Sequence, residues 1–457
     1  MNLATLPPSL AFVAPSLAFV AVFVLGTLLG SLANWAIYRL AWNAREISPW
    51  GPTPKNFEPR TWIDRVPVVG WFGLAREARL HGPGFWIRPL FIEFLMGMGL
   101  AVLYWWEVSE RQLVVPQLEE QLAIAINQAV DVPTSLVPFA AVWPTFLAHV
   151  VLITLMVAAS FIDIDEKIIP DEITVTGTIL GLVIATSMPL ALLPLGMLRD
   201  NPPPVGVEIP LRIVGGNVAA HVEPTTLAAP NEWPEVLGAA PNWSSLMLGL
   251  GCWWLWCFAL APRFWRGRRS AWRTLQIIAR RVIRETTRGL LGAITWLGTA
   301  GIVGVWYWGE QAWIGLLTAL VGLAASGGLV WIVRKVGTAA LQREAMGFGD
   351  VTLMMMIGTF LGWQACVIVF FVSPFAAVGI GIAKAITQSD DEIPYGPFLC
   401  LGALFVMVFW AAVWNRVAFA FELGWLMPTT LAVCFVLLGV ILFLWQQIKR
   451  LFRGDLD

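Results

Sequence analysis

Charge is scarce in this sequence. Lys, Arg, Asp and Glu make up 13% of its 457 residues, against about 25% in a soluble globular chain. So little charge cannot clothe a hydrated surface, which excludes an ordinary soluble fold. The net charge of −1 says nothing about nucleic acid, and the basic residues are better read as topology markers. Cysteine is scarce as well. Cys252, Cys257, Cys366, Cys400 and Cys434 all lie in or beside apolar segments and none belongs to a Cys-x-x-Cys pair, so they read as packing residues rather than disulfides or zinc ligands. The histidines His81, His149 and His221 are scattered, which argues against a metal cluster. No Lys or Arg precedes Arg39, so the positive n-region of a secretory leader is lacking. The first apolar run is expected to be an uncleaved span. No internal repeat is visible.

What fills the space is hydrocarbon: 58% of residues are hydrophobic and the mean hydropathy is +0.72. Runs long enough to cross a bilayer as helices, about 20 residues each, fall near 15–38, 86–107, 141–162, 174–196, 244–261, 289–308, 312–333, 364–386, 396–417 and 425–446. A shorter piece at 351–361 reads as a half-span or as one arm of a helical hairpin with the next segment. The expected fold is therefore all-α, a polytopic transmembrane helical bundle of about 10–11 membrane segments.

Basic residues orient it. The 39–88 loop carries Arg39, Arg45, Lys55, Arg60, Arg65, Arg76, Arg79 and Arg88, so it should be cytoplasmic. Counting crossings then places 108–140 outside, 163–173 inside, and the Pro- and Gly-containing tract 197–243 outside, as an irregular extracytoplasmic insert with a short hairpin. The Arg-dense stretch 263–289, interleaved with Trp, Leu and Ile, reads as a basic amphipathic helix on the anionic inner leaflet rather than as a nucleic-acid binder.

Acidic residues beside a membrane span are costly and so are candidates for function. "FIDIDEKIIPDEIT" (161–174) supplies Asp163, Asp165, Glu166, Asp171 and Glu172, and "GFGD" (347–350) supplies Asp350. The topology puts both groups at the same depth on the inner side. Two aspartates held close cannot both ionise easily. One then keeps a proton and polarises a scissile carbonyl, while the other takes a proton from water, splitting a peptide bond without a cofactor. Gly347 and Gly349 permit unusual backbone angles and close approach. Taken singly, each motif has a plainer reading. Asp350 caps the helix beginning at Val351, and in "IPDEIT" Pro170 ends one run while Asp171 caps the next helix or supports Asp163.

Together the motifs resemble a known family. "FIDIDEKIIPDEIT" resembles the first aspartate motif of bacterial prepilin peptidases, the type IV leader peptidases, and "EAMGFGDVTLMMMIGTFLGW" (344–363) resembles their second. Matches to "GSLANWAIYRL" (30–40), "WIDRVPVVGWF" (62–72), "RPLFIE" (88–93) and "IPYGPFLCLGAL" (393–404) occur in the family's order and cover most of the chain outside 186–310. The resemblance implies a GxGD-type aspartyl protease of the bacterial inner membrane whose catalytic pair falls on Asp163 and Asp350. It would cut leaders from type IV prepilins or type II secretion pseudopilins at the cytoplasmic face. Many members also methylate the new N-terminus with S-adenosylmethionine.

The chain departs from the family in two ways. Many members carry two zinc-binding Cys-x-x-Cys pairs in the first cytoplasmic loop; here that loop has no cysteine, and "ISPW" (47–50) and "AREARLHG" (75–82) stand about where the pairs would be. No zinc brace is expected, and the scaffold usually associated with methylation is missing. A long addition also separates the two aspartate motifs. The implied division is an N-terminal peptidase region at 1–110, first-aspartate spans at 141–196, an insertion at 197–310 and GxGD spans with C-terminal helices at 311–457. Competing readings are a GxGD protease for another membrane precursor, a catalytically dead scaffold, which both aspartates argue against, and a proton-coupled transporter. The last would place acids near the midplane within inverted repeats.

Overall fold

The computed structural model describes every residue except 1–7, 55–56, 111, 114–138, 198–225, 229–236, 238–240, 262–288, 343, 388–393 and 454–457. The chain begins with helix α1 (Pro8–Leu40), followed by a loop holding the short helices α2 (Val69–Leu74) and α3 (Ala78–His81). Helices α4 (Ile87–Tyr104), α5 (Phe139–Glu166) and α6 (Asp171–Ser187) come next, then strands β1 (Leu195–Met197) and β2 (Thr226–Ala228). The remainder is α7 (Trp243–Leu260), α8 (Gly289–Trp308), α9 (Glu310–Leu341), α10 (Phe348–Thr387), α11 (Gly396–Val408), α12 (Trp410–Glu422) and α13 (Leu426–Arg453).

Among the described residues, eight helices are long and apolar enough to cross a membrane, or up to nine if the bent pair α11–α12 is one broken span. The protein is an all-α polytopic bundle. The run read as a span over 396–417 breaks at Phe409, where the chain bends by 96°. The run read over 174–196 stops being helical at Ser187, just before Pro189 and Pro194, which cannot continue a helix. β1 and β2 pair antiparallel, Leu195 opposite Ala228; Met197 and β2 fall in the tract read as an insert with a short hairpin. The basic stretch 263–289 lies outside the described residues except for Gly289.

Within α10, Gly362 is non-helical at φ 78°, ψ 170°, a conformation open mainly to glycine. It reverses the chain. Unbroken, the helix would carry residue 387 about 57 Å from residue 349, and the nine residues to Gly396 reach only about 30 Å. Yet Gly349 and Gly396 both pack against Ile169. The two arms therefore form the helical hairpin that the short 351–361 run implied.

The chain forms two compact units. The first comprises Met1–Gly177, Met346–Leu353 and Val369–Pro428. In it α1 and α4 meet through glycines: a Cβ on Gly26 would lie 2.7 Å from the Met96 carbonyl, and one on Gly30 2.7 Å from the Glu93 Cα. Lipid gives helices no hydrophobic drive to associate, so close approach of small residues must supply the packing. Asn34 then reaches across to the Pro89 carbonyl and Glu93 Oε1. The second unit comprises Thr178–Ala345, Met354–Ile368 and Thr429–Asp457. There Trp253 and Trp256 are buried against one another, Gly298 is pressed on Trp253, and Gln446 of α13 donates to the Leu341 carbonyl at the end of α9.

Candidate active site

The acidic cluster at the end of α5 divides into three tasks. Residues two apart on a helix point to nearly opposite faces, so Asp163 and Asp165 cannot share an environment. Asp165 takes both its oxygens to Arg88 Nη1, at 2.9 and 2.8 Å, and Arg88 also lies over the Phe161 ring. Glu166 accepts the backbone N–H groups of Trp42 and Asn43, at 2.6 and 2.8 Å, tying the chain beyond α1 to the end of α5. Only Asp163 turns inward, 5% exposed. α5 closes with Lys167 in the left-handed region, its N–H on the Asp163 carbonyl, a helix-ending geometry. The chain then passes Ile169 and Pro170, both buried, into α6.

Asp350 stands in the first turn of α10 and is 7% exposed. Ile169 joins the two motifs. A Cβ on Gly349 would fall 3.1 Å from Ile169 Cβ, and one on Gly396 3.0 Å from Ile169 Cδ1 and 2.5 Å from Asp163 Oδ2. Gly396, the first residue of α11, donates its N–H to Asp163 Oδ2 at 3.1 Å. Cys400, one turn further along α11, lies within electrostatic reach of both Asp163 and Asp350, and Tyr395 within reach of Asp350. All of these residues belong to the first unit. The second glycine of "GFGD" is thus required for close approach to Ile169, whereas a Cβ on Gly347 would make an ordinary 3.6 Å contact with Asp350 Oδ2. Asp171 opens α6 with its side chain exposed, and its carboxylate makes no hydrogen bond among the described residues.

The loop between α1 and α4 is held by ion pairs. Arg60 binds Glu77 through two nitrogens at 2.8 and 2.7 Å, and its Nη1 also donates to the Ser48 and Gly51 carbonyls. Ser48 and Glu77 lie in the stretches 47–50 and 75–82 that the resemblance sets against the family's cysteine pairs. The partners of Arg60 are oxygens already enclosing a cation, with no thiolate among them, so these residues do not fit a zinc ion. Among the described residues no group of three His, Cys, Asp or Glu side chains gathers as metal ligands would. Glu93 accepts the Val68 N–H at 2.6 Å. Asp64, 3% exposed, accepts Thr61 N–H and both Arg76 terminal nitrogens. The Arg76 guanidinium holds its pKa down to about 2. A depressed carboxylate stabilises the fold above its unfolded pKa and loses that contribution as pH falls through the folded one. Asp64 therefore adds about 2 kcal/mol above pH ~4, fading towards pH ~2. In thermal melts of the detergent-solubilised protein, Asp64→Asn should lower the midpoint at pH 6, and the gap from wild type should close by about pH 2.

Composition and motif reading missed Ile169, Tyr395, Gly396 and Cys400 as parts of the site. The signal lay in "IPYGPF", where Gly and Pro open a helix, but nothing local says which carboxylate that helix meets. They also missed Glu107 and His149, a fully buried pair with Nδ1 2.7 Å from Oε1, which stands apart from the aspartates on α5 by the 14 positions between His149 and Asp163.

Residues 287–382 match the model of the Type IV leader peptidase family, a stretch that contains Asp350 but not Asp163. The chain is 30% identical over 91 residues to a prepilin leader peptidase/N-methyltransferase of Aeromonas hydrophila, covering 19% of this chain and 31% of that relative. A protein of the same name from Escherichia coli (strain K12) is 28% identical over 93 residues, covering 20% and 41%. One from Myxococcus xanthus (strain DK1622) is 26% identical over 176 residues, covering 38% and 41%. The chain thus matches from 31% to 41% of the length of these relatives. No solved structure matches it.

Proposed function

We propose that this chain, with its Type IV leader peptidase segment, is a membrane aspartyl endopeptidase. It removes the leader of type IV prepilins or type II secretion pseudopilins at the cytoplasmic face of the bacterial inner membrane. Asp163 and Asp350 form the dyad. The observation that carries this reading is Ile169, which packs on Gly349 beside Asp350 and on Gly396, whose N–H holds Asp163.

Water supplies the nucleophile. The ionised carboxylate takes a proton from it as its oxygen bonds to the scissile carbonyl carbon, while the protonated carboxyl donates a hydrogen bond to the carbonyl oxygen. The C–N bond then breaks and the departing nitrogen takes a proton from the pair, which returns to its shared-proton state. Both carboxylates are nearly buried, and a shielded site strengthens each of these interactions relative to water.

The relatives' names carry a second activity, N-methyltransferase. The buried carboxylates of the cytoplasmic loop and its flank, Asp64, Glu77 and Glu93, are already engaged by Arg76, Arg60 and the Val68 N–H. They do not fit S-adenosylmethionine as they stand.

Co-expression with a prepilin-like precursor tests the reading. Wild type should shorten the precursor at the start of its apolar helix, and Asp163→Ala and Asp350→Ala should leave it full length. Normal processing by both variants would overturn the dyad. In the same samples, mass spectrometry of the mature N-terminus reads methylation directly as the mass of one added methyl group.

A further inference from the structure

We infer that Gly396, outside both aspartate motifs, is a positioning residue for cleavage: its amide and its missing side chain together fix the Asp163 carboxylate. The inference rests on the dyad reading above.

The first N–H groups of a helix have no partner within it. At the start of α11, Phe398 and Leu399 return their N–H groups to the Tyr395 carbonyl, and Pro397 has none to give. Gly396 is the donor left over, and it reaches 233 residues back along the chain to Asp163 Oδ2. Pro397, with its φ fixed near the helical value, makes the helix begin there. Asp163 Oδ1 accepts no hydrogen bond among the described residues, so it is the oxygen left to meet water while Oδ2 is tied.

The absence of a side chain matters as much. A methyl at 396 would lie 2.5 Å from Asp163 Oδ2, 3.3 Å from its Cγ and 3.0 Å from Ile169 Cδ1. It would push on the carboxylate and on the residue that also seats Gly349 beside Asp350. Displacing reacting groups by about 1 Å costs on the order of 10²-fold in rate.

Two substitutions separate the roles in the full-length protein, made by cell-free translation into nanodiscs. Glycolic acid at position 396 turns one amide into an ester and deletes the N–H without adding an atom beside Asp163. It should lower kcat on a prepilin-like precursor about 10- to 100-fold, the loss of one hydrogen bond to a charged group, with KM unchanged. Gly396→Ala should lower kcat by roughly 10²-fold or more. An ester at Phe398, which deletes a purely structural bond to the Tyr395 carbonyl, is the control and should leave kcat within about twofold of wild type. Wild-type kcat with the 396 ester, or an equal fall with the 398 ester, would overturn the inference. Should Gly396→Ala fail to fold, the ester decides alone. If Asp163→Ala and Asp350→Ala still cleave, the dyad reading has failed; if they are dead while the 396 ester is fully active, only this inference has.

Discussion

Replacing Asp163 or Asp350 by Asn should lower leader removal by at least about 10³-fold, and replacing both should lower it little further. Asparagine keeps the shape of the side chain and, through its amide oxygen, an acceptor for the Gly396 N–H. It cannot accept a proton from water or donate one in the way a carboxyl does. The loss is therefore chemical, and membrane expression and melting should stay near wild type. Non-additivity is the sharper half of the expectation. Two carboxylates sharing one proton act as a unit, so the first substitution removes the function and the second finds nothing left to remove. Initial rates on a purified precursor, compared among the two single variants and the double, measure this. Two independent losses that multiply in the double variant would mean that the residues act separately, and the shared-proton dyad would have to be given up.

The fold was legible where a single physical signal decides it. Residues 15–38, 86–107 and 141–162 are apolar runs of membrane length, and α1, α4 and α5 lie over them because lipid tolerates only backbone that satisfies itself. The reversal at Gly362 was half legible: the apolar run falters there, but only the dihedral angles and the packing of Gly349 and Gly396 on Ile169 show that the chain turns back. The break at Phe409 had no local mark, since neither Pro nor Gly interrupts 405–414. At the site, the 161–174 acids and Asp350 could be singled out because acids beside a membrane span are costly, but it was the family resemblance that put the proposed pair on Asp163 and Asp350. Their neighbours Asp165 and Glu166 look the same in the sequence, and only helix geometry sends one to Arg88 and the other to the Trp42 and Asn43 amides. Gly396 was out of reach for a different reason. Its hydrogen bond spans 233 residues, and neither periodicity nor composition carries information over such a distance.

Gly322→Ala and Gly358→Ala should each destabilise the protein by about 1–3 kcal/mol, and the double variant should cost less than their sum. Within the second unit α9 crosses the first arm of α10 at these two glycines. A Cβ on Gly322 would overlap the Gly358 carbonyl oxygen, and one on Gly358 would overlap the Gly322 carbonyl oxygen and Ser326 Oγ. Ser326, one turn along α9, uses the same close approach to donate its hydroxyl to the Met354 carbonyl at 2.8 Å. Either added methyl opens the same gap and stretches the same hydrogen bond, so a second methyl enters space the first has already forced apart. The loss is not recovered elsewhere, because in lipid the two helices have only packing and polar contacts to hold them together. Reversible unfolding in mixed detergent micelles gives both single values and the coupling between them. Stabilities equal to wild type would mean that the backbones do not meet at Gly322 and Gly358. Full destabilisation with strictly additive energies would mean that each methyl meets a separate obstacle.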